Sequence, residues 1–254
     1  MNNFDKIIIA NWKMNLDPGQ SIDIAKEIHM LLDKAKLDAN KKVILCPSFL
    51  ALYDISKVLS GSQIDFGAQD VFYEDAGAFT GEISPDNLKK IGCKYTIVGH
   101  SERRAMGETD DSVNKKVKAL IENNIIPIIC IGEKMAERQG GKTSDVLIHQ
   151  IQKALEDVPN KYFIVAYEPV WAISTSGSGQ IITPAEAKKE LYTIREAVPA
   201  KLKNFDIIYG GSVGPDTVTD FVGKDGFKGA LVGGASLEAK TFVKLIKNVI
   251  VDKG

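Results

Sequence analysis

The chain has 254 residues, 44% of them hydrophobic, with 32 basic and 33 acidic side chains and a formal net charge of -1. That length holds a sizeable core, in one large α/β domain or two small ones. The even charge balance removes the electrostatic case for nucleic acid or a membrane surface as partner, yet allows a small anion held by local charge. Three cysteines, Cys46, Cys93 and Cys130, form no CxxC pair and read as reduced thiols. No stretch reaches 18 apolar residues, and the apolar run Ile7 to Ala10 is too short for a secretion signal, so the expected setting is the cytoplasm.

Taken in order, the chain alternates short apolar runs with longer amphipathic ones. KIIIA (6–10) ends at Asn11 and Lys13, and Ile24, Ile28, Leu31 and Leu32 follow at helical spacing. KVILC (42–46) comes next, then IDFGA (64–68), which ends at Gln69. SPDN (84–87) sets a proline just inside a helix start. YTIVG (95–99) leads to His100, Ser101 and Glu102, and then to a stripe of Val113, Val117, Leu120 and Ile121. IPIIC (126–130) ends at Cys130, followed by Gly132 and Glu133, and YFIVAY (162–167) ends at Glu168. TPAE (183–186) reads as an N-cap threonine, a first-turn proline and a glutamate three residues after the cap. DIIYG (206–210) leads to Gly211 and Ser212, GPDT (214–217) predicts another proline-marked helix start, and GALVG (229–233) leads to Gly233 and Gly234. Nearly continuous apolar runs are the mark of parallel strands covered by helices. Eight of them, each followed by a helix, predict a (β/α)8 barrel as a single domain over residues 1–254, ahead of an open doubly wound sheet.

In such a barrel, catalytic groups gather where strands meet the following loops. Those positions offer one imidazole, one lysine, several carboxylates and two glycine pairs whose backbone N–H groups can approach a phosphate. A base, an acid, a cation and a phosphate cradle suit proton abstraction beside a carbonyl on a small phosphorylated sugar. Singly, each residue has a plainer reading: Gly-Gly as a tight turn, Lys13 as a solvated charge, His100 as a structural histidine like His29 and His149 in their helical patterns. Glu168 resists that treatment because it ends an apolar strand and precedes Pro169. Other barrel chemistries fit less well. A Schiff-base aldolase needs a buried lysine where strand 6 has Glu168, and a metal-dependent epimerase needs several converging ligands where only one histidine stands at a strand end. A barrel with only a binding or structural role has no need of Asn11, Lys13, His100 and Glu168 together.

The segments NWKMN (11–15), GAFTGEIS (77–84), VGHSERR (98–104), AYEPVWAI (166–173), YGGSV (209–213) and LVGGASL (231–237) resemble the motifs of triosephosphate isomerases, in order and across almost the whole chain. The resemblance implies interconversion of dihydroxyacetone phosphate and D-glyceraldehyde 3-phosphate in glycolysis and gluconeogenesis, with neither cofactor nor metal. It implies Glu168 as the base, His100 as the electrophile, and Lys13 as the cation oriented by Glu102, with Cys130 in support. Asn11 would hold the enediolate, while Ser174, Ser212, Gly233 and Gly234 would hold the phosphate. The helix starting near Ser101 is expected to disfavour an imidazolium at His100, and partial desolvation is expected to move Glu168 up toward working pH. A lid over about 169–180 would hinge on Pro169, Val170 and Trp171 and exclude water. A loop over about 69–84 implies a homodimer, with Phe79 and Thr80 reaching the neighbouring subunit. The lid departs from the family's AIGTGKTA: here it reads AISTSGSG and is about three residues longer, with Ser174 where the family has glycine. The loop after Arg104 is about one residue short.

Overall fold

A computed structural model describes residues 5–35, 41–173 and 180–250. Eight parallel strands close on themselves in sequence order: β1 (Lys6–Asn11), β2 (Lys41–Cys46), β3 (Ile64–Ala68), β4 (Tyr95–Val98), β5 (Ile126–Ile131), β6 (Phe163–Tyr167), β7 (Phe205–Tyr209) and β8 (Gly229–Val232). Among the described residues, ten α-helices accompany them: α1 (Pro18–Ala35), α2 (Phe49–Val58), α3 (Pro85–Lys90), α4 (Ser101–Ala105), α5 (Asp110–Glu122), α6 (Met135–Gln139), α7 (Thr143–Ala154), α8 (Pro184–Ala197), α9 (Val218–Phe221) and α10 (Ala239–Ile250). The barrel closes where Ile7 pairs with Gly229 and Ala10 with Val232. Closure needs the glycine, because a Cβ at 229 would lie 1.7 Å from the Ile7 carbonyl oxygen. Among the described residues, no helix is long and apolar enough to cross a membrane.

Each strand explains its own unbroken hydrophobicity. Alternate residues point to opposite faces, and here both faces are buried. Ile7, Ile9, Ile44, Ile97, Ile128, Ile164 and Ile208 fill the barrel interior. Ile8, Val43, Leu45, Val98, Ile129 and Val165 pack outward with the helices. A fully buried aliphatic side chain of this kind is worth roughly 1.5–3 kcal/mol.

The helix starts at Ser84 and Thr183 are as expected. Ser84 Oγ accepts from Asn87 N at 3.2 Å, and Thr183 Oγ1 accepts from Glu186 N at 3.2 Å while Glu186 Oε2 accepts from Thr183 N at 2.9 Å. Pro215 is a correction. It lies in a turn, and α9 begins later, after Thr217, whose hydroxyl accepts from Gly214 N at 3.0 Å rather than capping the helix. Strand ends also shift by a residue: Asn11 and Ile131 belong to β1 and β5, whereas Gly99, Gly210 and Gly233 stand just outside β4, β7 and β8. His29 and His149 sit on α1 and α7 beside Asp33 (3.4 Å) and Asp110 (3.5 Å), in keeping with their plain helical reading.

The loop 69–84 is internally braced. Phe72 N donates to Ile83 O at 2.8 Å, Ser84 Oγ to Asp75 O at 2.6 Å, and the Phe72 ring stacks with Tyr73 (4.1 Å) and meets Phe79 (4.7 Å). At its root, Asp70 pairs with the buried Lys116 at 2.7 Å and with Arg103 at 2.9 Å. Lys116 also bonds Glu108, whose other oxygen accepts from Gly99 N at 2.9 Å, so this network reaches the end of β4.

Candidate active site

Asn11, Lys13, His100, Glu168, Ser212, Gly233 and Gly234 line one cavity of about 360 Å³ at the carboxyl ends of the strands. The barrel carries them there because strands β1, β4, β6, β7 and β8 all end at the same rim.

Lys13 has φ 52°, in the left-handed region where a side chain is unusual. Three bonds hold it there. Its N–H donates to Asn11 Oδ1 (3.1 Å), its carbonyl accepts from Gln69 Nε2 (2.9 Å), and Nζ meets Glu102 Oε1 at 2.6 Å. The same Gln69 nitrogen also donates to Cys46 O at 2.9 Å. A Cβ placed on Gly233 would lie 3.8 Å from Lys13 Cε, so the lysine stem runs along the β8 glycine turn. The expected pairing of Lys13 with Glu102 is therefore present.

Glu168 is 2% exposed, and its carboxylate is held by two donors. Oε1 lies 3.1 Å from His100 Nε2, and Oε2 accepts from Ser101 N at 3.2 Å. His100 caps α4, its Nδ1 accepting from Glu102 N at 3.2 Å. Only an unprotonated nitrogen can accept that bond, so the imidazole carries its proton on Nε2 and directs it at Glu168.

The pKa directions depart from those expected. Burial pushes Glu168 up, but the neighbouring His100, the Ser101 N–H and Lys13 outweigh it and hold the carboxyl below its usual value. Burial pulls His100 down, but the charges of Glu168 and Glu102 outweigh it and raise the imidazole. The expectation from burial and from the short helix omitted this pairing across the barrel mouth. Cys130 lies fully buried at the end of β5, its thiol pushed well up by burial and further by the charge of Glu168.

Behind Glu168 the chain is anchored to β5. Glu168 N donates to Ile131 O (2.8 Å) and Val170 N to Glu133 O (3.1 Å). A Cβ on Gly132 would lie 1.7 Å from the Glu168 carbonyl oxygen, so only glycine permits this approach. Glu133, fully buried, accepts from Trp171 Nε1 at 2.7 Å and from Tyr167 OH at 3.2 Å. Pro169 leads into a single 3-10 turn, Val170–Ala172, and Ser212 Oγ donates to Ala172 O at 3.1 Å. Ser174 and the rest of 174–179 lie outside the described residues. Of the two glycine turns, the one after β8 opens a 3-10 turn, Gly234–Ser236, whereas the one after β7 opens no helix directly, since α9 starts at Val218.

The family model described as "Triosephosphate isomerase" matches residues 6–249. The chain belongs to the triosephosphate isomerase family. It is 41% identical over 249 residues to the triosephosphate isomerase of Thermoanaerobacter pseudethanolicus, covering 94% of this chain and 98% of that protein. It is 41% identical over 251 residues to the triosephosphate isomerase of Dehalococcoides mccartyi, with 96% of each chain covered. The triosephosphate isomerase of Endomicrobium trichonymphae is 40% identical over 250 residues, covering 95% and 97%. Within the triosephosphate isomerase framework, sequence reasoning places Gly210, Gln69 and Glu133 at strand ends but gives none of them a role. None announces one until its partners, Glu168, Lys13 and Trp171, are known in space.

Proposed function

We propose that the chain interconverts dihydroxyacetone phosphate and D-glyceraldehyde 3-phosphate, with Glu168 moving a proton between C1 and C2 and His100 donating at the carbonyl oxygen. The observation that carries this reading is that Glu168, His100 and Lys13 share one small cavity with the glycine turns after β7 and β8.

Glu168 and His100 satisfy each other across the cavity. Substrate must come between them, after which the carboxylate is free to take a carbon-bound proton and Nε2–H to meet the substrate oxygen. With the carboxylate turned away, the influence that raised His100 weakens, and the Nδ1 bond to Glu102 N favours the neutral imidazole. A neutral acid matches a developing enediolate, and each preorganised donor to that oxyanion is worth ~3 kcal/mol. Lys13 supplies positive charge beside it, held by Glu102, and Asn11 contributes an amide. Ser212, Gly233 and Gly234 offer backbone N–H groups to the phosphate. The lid over about 169–180, including Ser174, is carried by the sequence resemblance, with Pro169–Trp171 as its first hinge.

A homodimer fits the surface. Met14, Leu50, Tyr53, Phe79 and Met106 are large apolar side chains at 95%, 82%, 59%, 41% and 71% exposure. They follow β1, β2, β3 and β4 in turn, so they fall on one side of the barrel rim, where Thr80 is exposed as well. The cytoplasm remains the proposed location.

The test is turnover of D-glyceraldehyde 3-phosphate by purified protein, coupled to a dehydrogenase that consumes dihydroxyacetone phosphate, with methylglyoxal assayed in parallel. Fast isomerisation with little methylglyoxal is expected. Isomerisation with abundant methylglyoxal would keep the chemistry and reject a sealing lid, and no isomerisation would return weight to a binding or structural role.

A further inference from the structure

One side chain contacts side chains on both sides of segment 174–179. Arg138, on α6, places its guanidinium carbon 4.3 Å from the centre of the Trp171 ring. Its Nη2 bonds Glu186 Oε1 at 2.6 Å, while Nη1 lies 3.7 Å from Glu133 Oε1. Glu186 is the residue whose other oxygen accepts from both Thr183 N (2.9 Å) and Thr183 Oγ1 (2.7 Å) at the cap of α8. Glu133 is the residue that accepts from the Trp171 indole. Arg138 therefore touches the turn that immediately follows Glu168 and the cap at which the chain re-enters α8.

The chemistry favours arginine at this position. A planar guanidinium can stack on an indole and bond a carboxylate at the same time, whereas an ammonium has no planar face to stack. The Arg138 side chain is 25% exposed, so the contacts are part-buried and partly shielded from salt. Removing it takes the stacked cation from the Trp171 ring and leaves the buried Glu133 without its nearby cation.

We infer that Arg138 is a positioning residue: through Trp171 and Glu186 it fixes the backbone after Glu168 against the start of α8, and so sets where the Glu168 carboxylate can reach. This rests on the reading of Glu168 as the base. Because a misplacement of about 1 Å can cost ~10²-fold in rate, a partial loosening is expected to cost about tenfold.

The experiment compares Arg138→Met and Arg138→Lys with the parent, measuring kcat, KM and melting temperature, and assays Glu168→Asp alongside. Expected is a kcat about tenfold lower in Arg138→Met with KM within about twofold, a small change in melting temperature, and intermediate kcat in Arg138→Lys. A folded Arg138→Met with parental kcat overturns the inference, as does a loss of melting temperature with kcat unchanged. Should Arg138→Met fail to fold, Arg138→Lys decides: it keeps a charge for Glu186 but loses the stack on Trp171, and a parental kcat there overturns the inference. If Glu168→Asp itself keeps full kcat, the base assignment fails, and that outcome is separate from an unaffected Arg138→Met.

Discussion

Gly210 leaves open the space that Glu168 fills. A Cβ at position 210 would lie 2.6 Å from Glu168 Cγ and 3.1 Å from Tyr167 O. The glycine after β7 thus serves the carboxylate after β6, its neighbour around the barrel.

Gly210→Ala is accordingly expected to push Glu168 off its present path and lower kcat by ~10²-fold, since a methyl group displaces its neighbour by about an ångström. Steady-state kinetics on a variant shown by circular dichroism to be folded is the check. A normal kcat in the alanine variant would mean that Glu168 does not need this space.

Glu168→Asp shortens the side chain by one methylene and withdraws the carboxylate by about 1 Å, for an expected loss of ~10²-fold in kcat. Unchanged kcat removes Glu168 as the base.

The pH dependence follows from the pairing with His100. Glu168 is lowered from 4.5, so the acid limb of kcat/KM for the free enzyme should fall below that value. In His100→Gln the main opposing influence disappears while burial, which raises Glu168, stays, so the limb should move to higher pH. The stability sign agrees. A carboxyl lowered on folding contributes stability that is complete above its unfolded pKa and is lost as pH falls through the folded one. A limb that stays in place in His100→Gln refutes the pairing as the cause.

Phe79 is 41% exposed on a loop braced by its own aromatic contacts. Phe79→Glu is expected to yield monomers of weak activity, read on a sizing column and in the coupled assay. A dimeric, fully active variant would show that this loop covers no partner.

Much of the site was legible because polar residues that end apolar strands are conspicuous. Asn11, Lys13, His100 and Glu168 each stop a run that otherwise satisfies a buried strand on both faces, and the capping box at Thr183 was plain from four residues. What escaped was whatever depends on distance through space. The direction of the Glu168 pKa turns on a histidine 68 positions earlier in sequence, and the importance of Glu133 turns on Trp171, 38 positions away. Pro215 misled for another reason: a proline with φ fixed near the helical value serves the turn before α9 as well as it would serve a first helical turn.

The two bonds from Gln69 Nε2, to Lys13 O and Cys46 O, give the rim a shared fastening. Gln69 is also the first residue of the loop that projects Phe79, and its neighbour Asp70 is pinned by Lys116 and Arg103. An unusual backbone at Lys13 is thus kept taut by the loop that meets the outside world. Slackening that loop would let the lysine relax toward ordinary dihedral angles and carry its ammonium away from the β8 turn. The protein could then lose turnover through a surface change with every reacting side chain still in its sequence.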